Sequence, residues 1–241
     1  MDNYIVSARK YRPTTFRSVV GQKALVQTLK AAVVTRKLAH AYLFCGTRGV
    51  GKTTCARIFA KTINCEHPTP DGEACNECES CRAFNEQRSY NIIELDAASN
   101  NSVDEIRSLI DKVRVPPQLG RYKVFIIDEV HMLSTAAFNA FLKTLEEPPE
   151  NVVFILLGRT KDAVLPTIVS RCQVVPFRHI PTTEASGIIS QNTGVSAEQA
   201  RIAVEACNGS VTKAIGFCKS PEKTGFRRRI LEILTLLPLS D

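Results

Sequence analysis

Gly46-Thr47-Arg48-Gly49-Val50-Gly51-Lys52-Thr53 has the spacing of a loop built to hold phosphate. Its glycines let backbone N–H groups turn inward, where side chains would clash. The apolar run Ala41–Cys45 precedes it and a helix-forming run follows, so the helix start aims its positive dipole end at the same oxygens. Lys52 supplies a point charge to the β and γ phosphates of a nucleotide such as ATP, and Thr53 offers a hydroxyl to Mg²⁺. Gly46, Gly49, Val50, Gly51, Lys52, Thr53 and Thr54 are the expected phosphate cradle. A chance glycine-rich turn would match the spacing, but not with strand, helix and a second motif in place.

That second motif is Val124-Phe125-Ile126-Ile127-Asp128-Glu129. An apolar strand carries two carboxylates to its C-terminal edge, where open parallel sheets bind ligands. Asp128 is expected in the Mg²⁺ shell and Glu129 to polarise an attacking water. Adjacent Asp-Glu pairs are common on surfaces; the position after a buried strand gives this pair its meaning.

Cys65, Cys75, Cys78 and Cys81 form C-x9-C-x2-C-x2-C. Four thiolates suit a closed tetrahedral Zn²⁺ site, structural because no coordination position stays open. The segment Glu66–Ala74 holds Pro68, Pro70 and Gly72 and has little else to order it, so the metal would do so. An Fe–S cluster and a redox pair are the alternatives. The other five of the nine cysteines are scattered and read as small buried hydrophobes. An odd cysteine count argues against a disulfide framework.

Positioning these groups requires alternating strands and helices. Ala41–Cys45, Asn91–Asp96, Lys123–Asp128, Val152–Leu157 and Gln173–Phe177 read as strands. Gln22–Thr35, Lys52–Asn64, Val103–Val113 and Thr135–Leu145 read as helices, the last stopping before Pro148-Pro149. Val124–Ile127 lacks alternation, which suits a strand buried on both faces. The fold class is α/β: a five-stranded parallel sheet with helices on both faces. After Phe177 the pattern changes to three short helices, Pro181–Ile189, Ala197–Cys207 and Val211–Cys218. The expected organisation is a core over 1–178 with a metal module at 64–83 and a three-helix lid over 179–222. A further helix, Phe226–Leu237, begins within 223–241.

Hydrophobic residues make up 44% of the 241, enough for a core, and the net charge of +7 is weak support for a polyanionic partner. No apolar run nears the roughly 18 residues of a membrane span, and Met1–Arg12 has no apolar signal region, so the cytoplasm is expected.

Arg9-Lys10-Tyr11-Arg12-Pro13 followed by Phe16 and Val19-Val20-Gly21-Gln22 is similar to the opening of the bacterial DNA polymerase III gamma/tau family. Glu94–Ser99, Asp128–Leu133, Thr144–Pro149, Ser170-Arg171-Cys172, the phosphate loop and the cysteine insert add to that resemblance, which covers 4–177. It implies an AAA+ ATPase, the motor subunit of a clamp loader. Such a loader uses ATP to open a sliding clamp and load it on primer–template DNA, within a heteropentamer of gamma/tau, delta and delta-prime subunits. Tyr11, Arg12, Pro13 and Val20 would line the adenine pocket, an arrangement that also suits a flat base physically. Arg171 would be an arginine finger acting in trans on a neighbour's γ-phosphate. On the residues alone it reads as a strand-edge surface group.

Departures from the family matter. Gly158-Arg159-Thr160 stands where Ala-Thr-Thr is usual, leaving Thr160 as the possible phosphate sensor. Thr212 stands where the lid's sensor arginine is usual, and the neighbouring Lys213 points about 100° away on a helix. The segment after Phe177 looks more like the delta-prime subunit, so a nucleotide-binding scaffold that donates Arg171 without turnover is the alternative. A Holliday-junction helicase of the same class fits less well, given the cysteine module and Ser-Arg-Cys. The sequence ends where such subunits begin a helical collar, and the chain alone is expected to be mostly monomeric. Lys143 on Thr135–Leu145, with Asn100 and Asn101, is the candidate contact to DNA phosphates, without base specificity.

Overall fold

The structure, a computed structural model, describes residues 13–219. Tyr11, Arg12 and Phe226–Leu237 lie outside the described residues. Contacts separate a unit over Thr14–His179 from one that includes residues 180–219.

In the first unit, β1 (Ala41–Cys45), β2 (Ile92–Asp96), β3 (Lys123–Asp128), β4 (Val152–Gly158) and β5 (Gln173–Pro176) form one parallel sheet of order β2-β3-β4-β1-β5. Successive strand residues point to opposite faces. Tyr42, Phe44, Val124, Ile126, Val153 and Ile155 face one layer, where they meet α1 (Lys23–Thr35) and α2 (Lys52–Ile63). Leu43, Phe125, Ile127, Phe154 and Leu156 face the other, against α4 (Val103–Val113) and α5 (Thr135–Glu146). Both faces are covered, which is why the central strands are apolar throughout. Stacking of Phe125 on Phe154 (5.6 Å) and the edge contact of Phe141 with Phe154 (5.0 Å) fill the second layer.

The expected elements form with small shifts at their ends. β5 stops at Pro176, although the Phe177 N–H still donates to the Cys45 carbonyl (2.7 Å). Two short helices are additions to the sequence reading. α3 (Glu79–Asn85) starts inside the cysteine segment, and α6 (Pro166–Val169) has proline at its first turn, where its missing N–H costs nothing.

The second unit contains α7 (Thr182–Thr193), α8 (Ala197–Ala206) and α9 (Val211–Cys218). α7 runs past the expected end at Ile189 because nothing breaks it until Gly194, which takes the left-handed cap at φ 75°. α8 is opened by a Ser196–Gln199 capping box. No helix among the described residues is long and apolar enough to cross a membrane.

Candidate nucleotide and metal sites

The phosphate loop leaves β1 in the middle of the sheet and enters α2. Gly46 must be glycine: a Cβ there would lie 2.8 Å from Phe177 Cβ and 3.0 Å from the Phe177 carbonyl oxygen. Its N–H donates to the Gly158 carbonyl (3.2 Å), which ties the loop to the end of β4. Gly51 caps α2 at φ 98°, a left-handed conformation that any side chain would strain, and a Cβ there would point into open space. Val50 is buried, Gly49 is exposed and Thr54, the third residue of α2, is half-buried.

Lys52 is buried, and its Nζ donates to the carbonyls of Gly46 (2.5 Å) and Thr47 (3.0 Å). Burial pulls its pKa down, against the attraction of Asp128 and Glu129. Thr53 Oγ1 donates to Asp128 Oδ2 (2.9 Å), so the two expected Mg²⁺ ligands meet across the gap between α2 and β3. Asp128 Oδ1 accepts from the Glu129 N–H (2.8 Å). Hard oxygens beside a glycine cradle with an adjacent ammonium form a donor set suited to Mg²⁺ and phosphate.

Glu129 takes a left-handed backbone (φ 50°, ψ 43°), unusual for a residue with a Cβ. The turn places its carboxylate beside Arg48, His131 and Arg159. Arg48 reaches Oε1 through Nε (2.9 Å) and Nη2 (2.8 Å). His131 Nε2 and Arg159 Nε lie 3.6 and 3.9 Å from Oε2. Thr160 is exposed and caps the turn Lys161–Ala163, so Arg159 is the residue after β4 that faces Glu129.

The other expected site residues are dispersed. Pro13 and Val20 are half-buried. Arg171, just past α6, donates to Glu146 Oε1 (2.7 Å) and to the Thr167 carbonyl (2.7 Å), partners outside the phosphate loop. Thr212 is half-buried and Lys213 exposed on α9. Lys143 is exposed on α5, and Asn101 approaches that helix because its carbonyl accepts from Ser134 N–H (3.4 Å). The Asn100 side chain instead donates to its own loop at the Asp96 carbonyl (2.9 Å).

The four cysteines converge: their sulfurs all lie within 4.8 Å of one another. One tetrahedral ion about 2.3 Å from each sulfur needs them about 3.8 Å apart, so the cluster fits a single ion. Backbone N–H groups of Cys75 and Cys78 donate to Cys65 Sγ (3.2 Å) and Cys75 Sγ (3.3 Å). Burial opposes ionisation of Cys75, but the N–H groups of Cys78 and Glu77 outweigh it and bring the thiol to about 6.

Three anchors around the sites escaped sequence reasoning. Buried Lys61 on α2 donates to the Thr14 carbonyl (2.9 Å) and Asn76 Oδ1 (2.6 Å), joining the phosphate-loop helix to the cysteine segment. Glu73 accepts from the N–H groups of Phe16 and Arg17, both at 2.9 Å. Gln22 Nε2 donates to the Arg178 carbonyl (2.8 Å) and its Oε1 accepts from Arg178 N–H (3.2 Å). A polar residue at each position was visible, but not the partner 156 residues away for Gln22 or 57 for Glu73.

A family model described as DNA polymerase III, delta subunit, matches residues 21–181. The chain is 50% identical over 200 residues to DNA polymerase III subunit tau of Bacillus subtilis, covering 83% of this chain and 35% of that protein. It is 49% identical over 173 residues to the Escherichia coli tau subunit, covering 70% and 26%. The chain thus spans about a quarter to a third of the length of these curated relatives. Among solved structures, the Thermotoga maritima RuvB Holliday junction branch migration motor aligns with a TM-score of 0.60 at 18% identity, covering 93% of this chain and 67% of that one. A DNA polymerase III gamma subunit-related protein from Thermotoga maritima aligns with a TM-score of 0.54 at 22% identity, covering 89% and 66%. These likenesses show the AAA+ fold.

Proposed function

Because the chain belongs to the DNA polymerase III, delta subunit family, we propose that it is the ATP-binding and hydrolysing motor subunit of a bacterial clamp loader. In this reading it acts in the cytoplasm with gamma/tau, delta and delta-prime subunits in a heteropentamer, and uses ATP to open a sliding clamp and set it on primer–template DNA. The observation that carries the reading is the meeting of Lys52, Thr53 and Asp128 around one glycine cradle.

The proposed chemistry follows from these residues. Loop N–H groups and the start of α2 receive phosphate oxygens, and Lys52 exchanges its two carbonyl acceptors for them. Thr53 and Asp128 hold Mg²⁺, which supplies Lewis-acid stabilisation of charge on those oxygens. Glu129 accepts the proton of the attacking water. Pro13 and Val20, with Tyr11 and Arg12, border the base. Arg171 leaves its pair with Glu146 to serve a neighbour's γ-phosphate, so turnover by the chain alone is poor. The unit over 180–219 acts as the lid, and Lys143 and Asn101 touch DNA phosphates.

Thr212 on α9, in place of the expected arginine, favours a second reading: a nucleotide-binding scaffold of the delta-prime kind that does not turn ATP over. Reconstitution with the other loader subunits, clamp and primed DNA separates the two. Stimulated hydrolysis that Glu129→Gln reduces by about a hundredfold or more supports the motor; no stimulated hydrolysis in the unmutated assembly supports the scaffold.

The cysteine centre is proposed to hold one structural Zn²⁺. Metal analysis should find one zinc per chain, lost in Cys78→Ser. Iron with visible absorbance would instead indicate a cluster.

A further inference from the structure

We propose that Lys61 is the counter-charge of the cysteine centre, a positioning residue whose buried ammonium offsets the negative charge of four thiolates on one metal ion. The proposal rests on the metal reading above and adds a residue that lies outside the cysteine motif, on the phosphate-loop helix.

Lys61 meets the cysteine segment at three points. It stands in the last turn of α2, and Cys65 follows just past the end of that helix. Its Nζ donates to Asn76 Oδ1 (2.6 Å), and Asn76 is the residue after Cys75. It also donates to Asn85 Oδ1 (3.4 Å), which lies one helical turn beyond Cys81 on α3. The Thr14 carbonyl (2.9 Å) is the third acceptor. An ammonium has three donors, so each has a partner, and all of these partners are neutral.

Charge balance directs that ammonium to the sulfurs. Lys61 is 2% exposed, and an ammonium so buried is costly unless opposite charge lies close. Asp71 and Glu73, the carboxylates of this segment that form ion pairs, are taken by other cations. Arg17 lies 2.8 Å from Asp71, and Lys30 lies 3.2 Å from Asp71 and 2.8 Å from Glu73. Glu66, Glu77 and Glu79 are exposed, where water and salt screen them. Four thiolates around one divalent ion carry two negative charges in excess, and Cys65 and Cys81 are buried. The backbone N–H groups of Cys75, Glu77 and Cys78 bring neutral donors to sulfur, at 3.2, 3.4 and 3.3 Å. Lys61 brings the charge, and the centre in turn supplies the anion that the buried lysine needs.

Two measurements on the full chain test the assignment: Zn²⁺ affinity by competition with a chelator, and the absorption of the Co²⁺-loaded protein. Lys61→Met removes the charge at similar length and should weaken Zn²⁺ about 10- to 100-fold. A cation beside thiolates holds their electrons more tightly, so its loss should move the sulfur-to-cobalt charge-transfer band to longer wavelength. Lys61→Arg keeps the charge, so it should leave the band in place and recover part of the affinity. Far-UV circular dichroism and thermal melting confirm that each variant folds. Unchanged Zn²⁺ affinity in Lys61→Met overturns the assignment. So does weaker affinity with the band unmoved, or a band that moves equally in Lys61→Arg, because packing would then be at work; in each case the metal reading stands. If the unmutated chain takes up neither ion, the metal reading fails and this assignment fails with it.

Discussion

Glu73→Gln removes one charge and leaves side-chain volume unchanged, so its effect isolates the polar anchor between the cysteine segment and the start of the core. The Glu73 side chain is buried. Its Oε2 accepts from Phe16 N–H and its Oε1 from Arg17 N–H, and Lys30 Nζ lies 2.8 Å from Oε1. In the glutamine one oxygen becomes an NH2 group. Two donors then face each other and one backbone N–H is stranded, at about 1–3 kcal/mol. Lys30 also loses its charged partner there, although Asp71 remains 3.2 Å away, which adds about 1 kcal/mol. The expected loss is about 2–4 kcal/mol. With a urea slope of about 2 kcal/mol/M, the midpoint should fall by about 1–2 M. The chain has no tryptophan, so far-UV circular dichroism is the appropriate probe. A fall below about 0.3 M with an unchanged slope would refute the reasoning. Phe16 and Arg17 lie between Pro13 and Val20, so the variant should also weaken nucleotide binding while the cysteine centre keeps its metal.

Gly46→Ala places a methyl group 2.8 Å from Phe177 Cβ, so the chain after β5 must move off the loop. A stability loss of about 1–3 kcal/mol and weaker ATP uptake are expected, and unaltered melting would contradict the contact. Burial pushes the Cys55 thiol up to about 12 from an ordinary 9.0. The unfolded thiol therefore ionises first, and the stability present below about pH 9 is lost as pH rises towards 12, by about 1.4 kcal/mol at pH 10. Cys55→Ala should flatten the decline in urea midpoint between about pH 8 and 10; equal slopes would count against the burial argument.

Local rules read most of this fold because local rules build most of it. α4 carries its own start signal, a Ser102–Glu105 capping box, and buries Ile106, Leu109 and Val113 at helical spacing. β3 is an apolar run because both its faces are covered. α3 gave no such signal. It begins just after the third cysteine of the cluster, buries only Ser80 and Cys81 and rests Phe84 on the core, too few apolar positions in seven residues to show a helical stripe.

The candidate site shows where such reading stops. Parallel strands deliver their C-terminal tips to one edge, so the residues just after β1 and at the end of β3, Gly46 and Asp128, each announced a functional edge position from their own strand. Which tips are neighbours is set by strand order, and that order depends on crossovers no local window contains. Here β4 lies between β3 and β1, so the residue after β4 stands over the gap between Asp128–Glu129 and the phosphate loop. Motif matching directed attention to the hydroxyl of Thr160, because a hydroxyl is the usual group there. In the structure it is the preceding residue, Arg159, whose Nε faces Glu129 Oε2 at 3.9 Å.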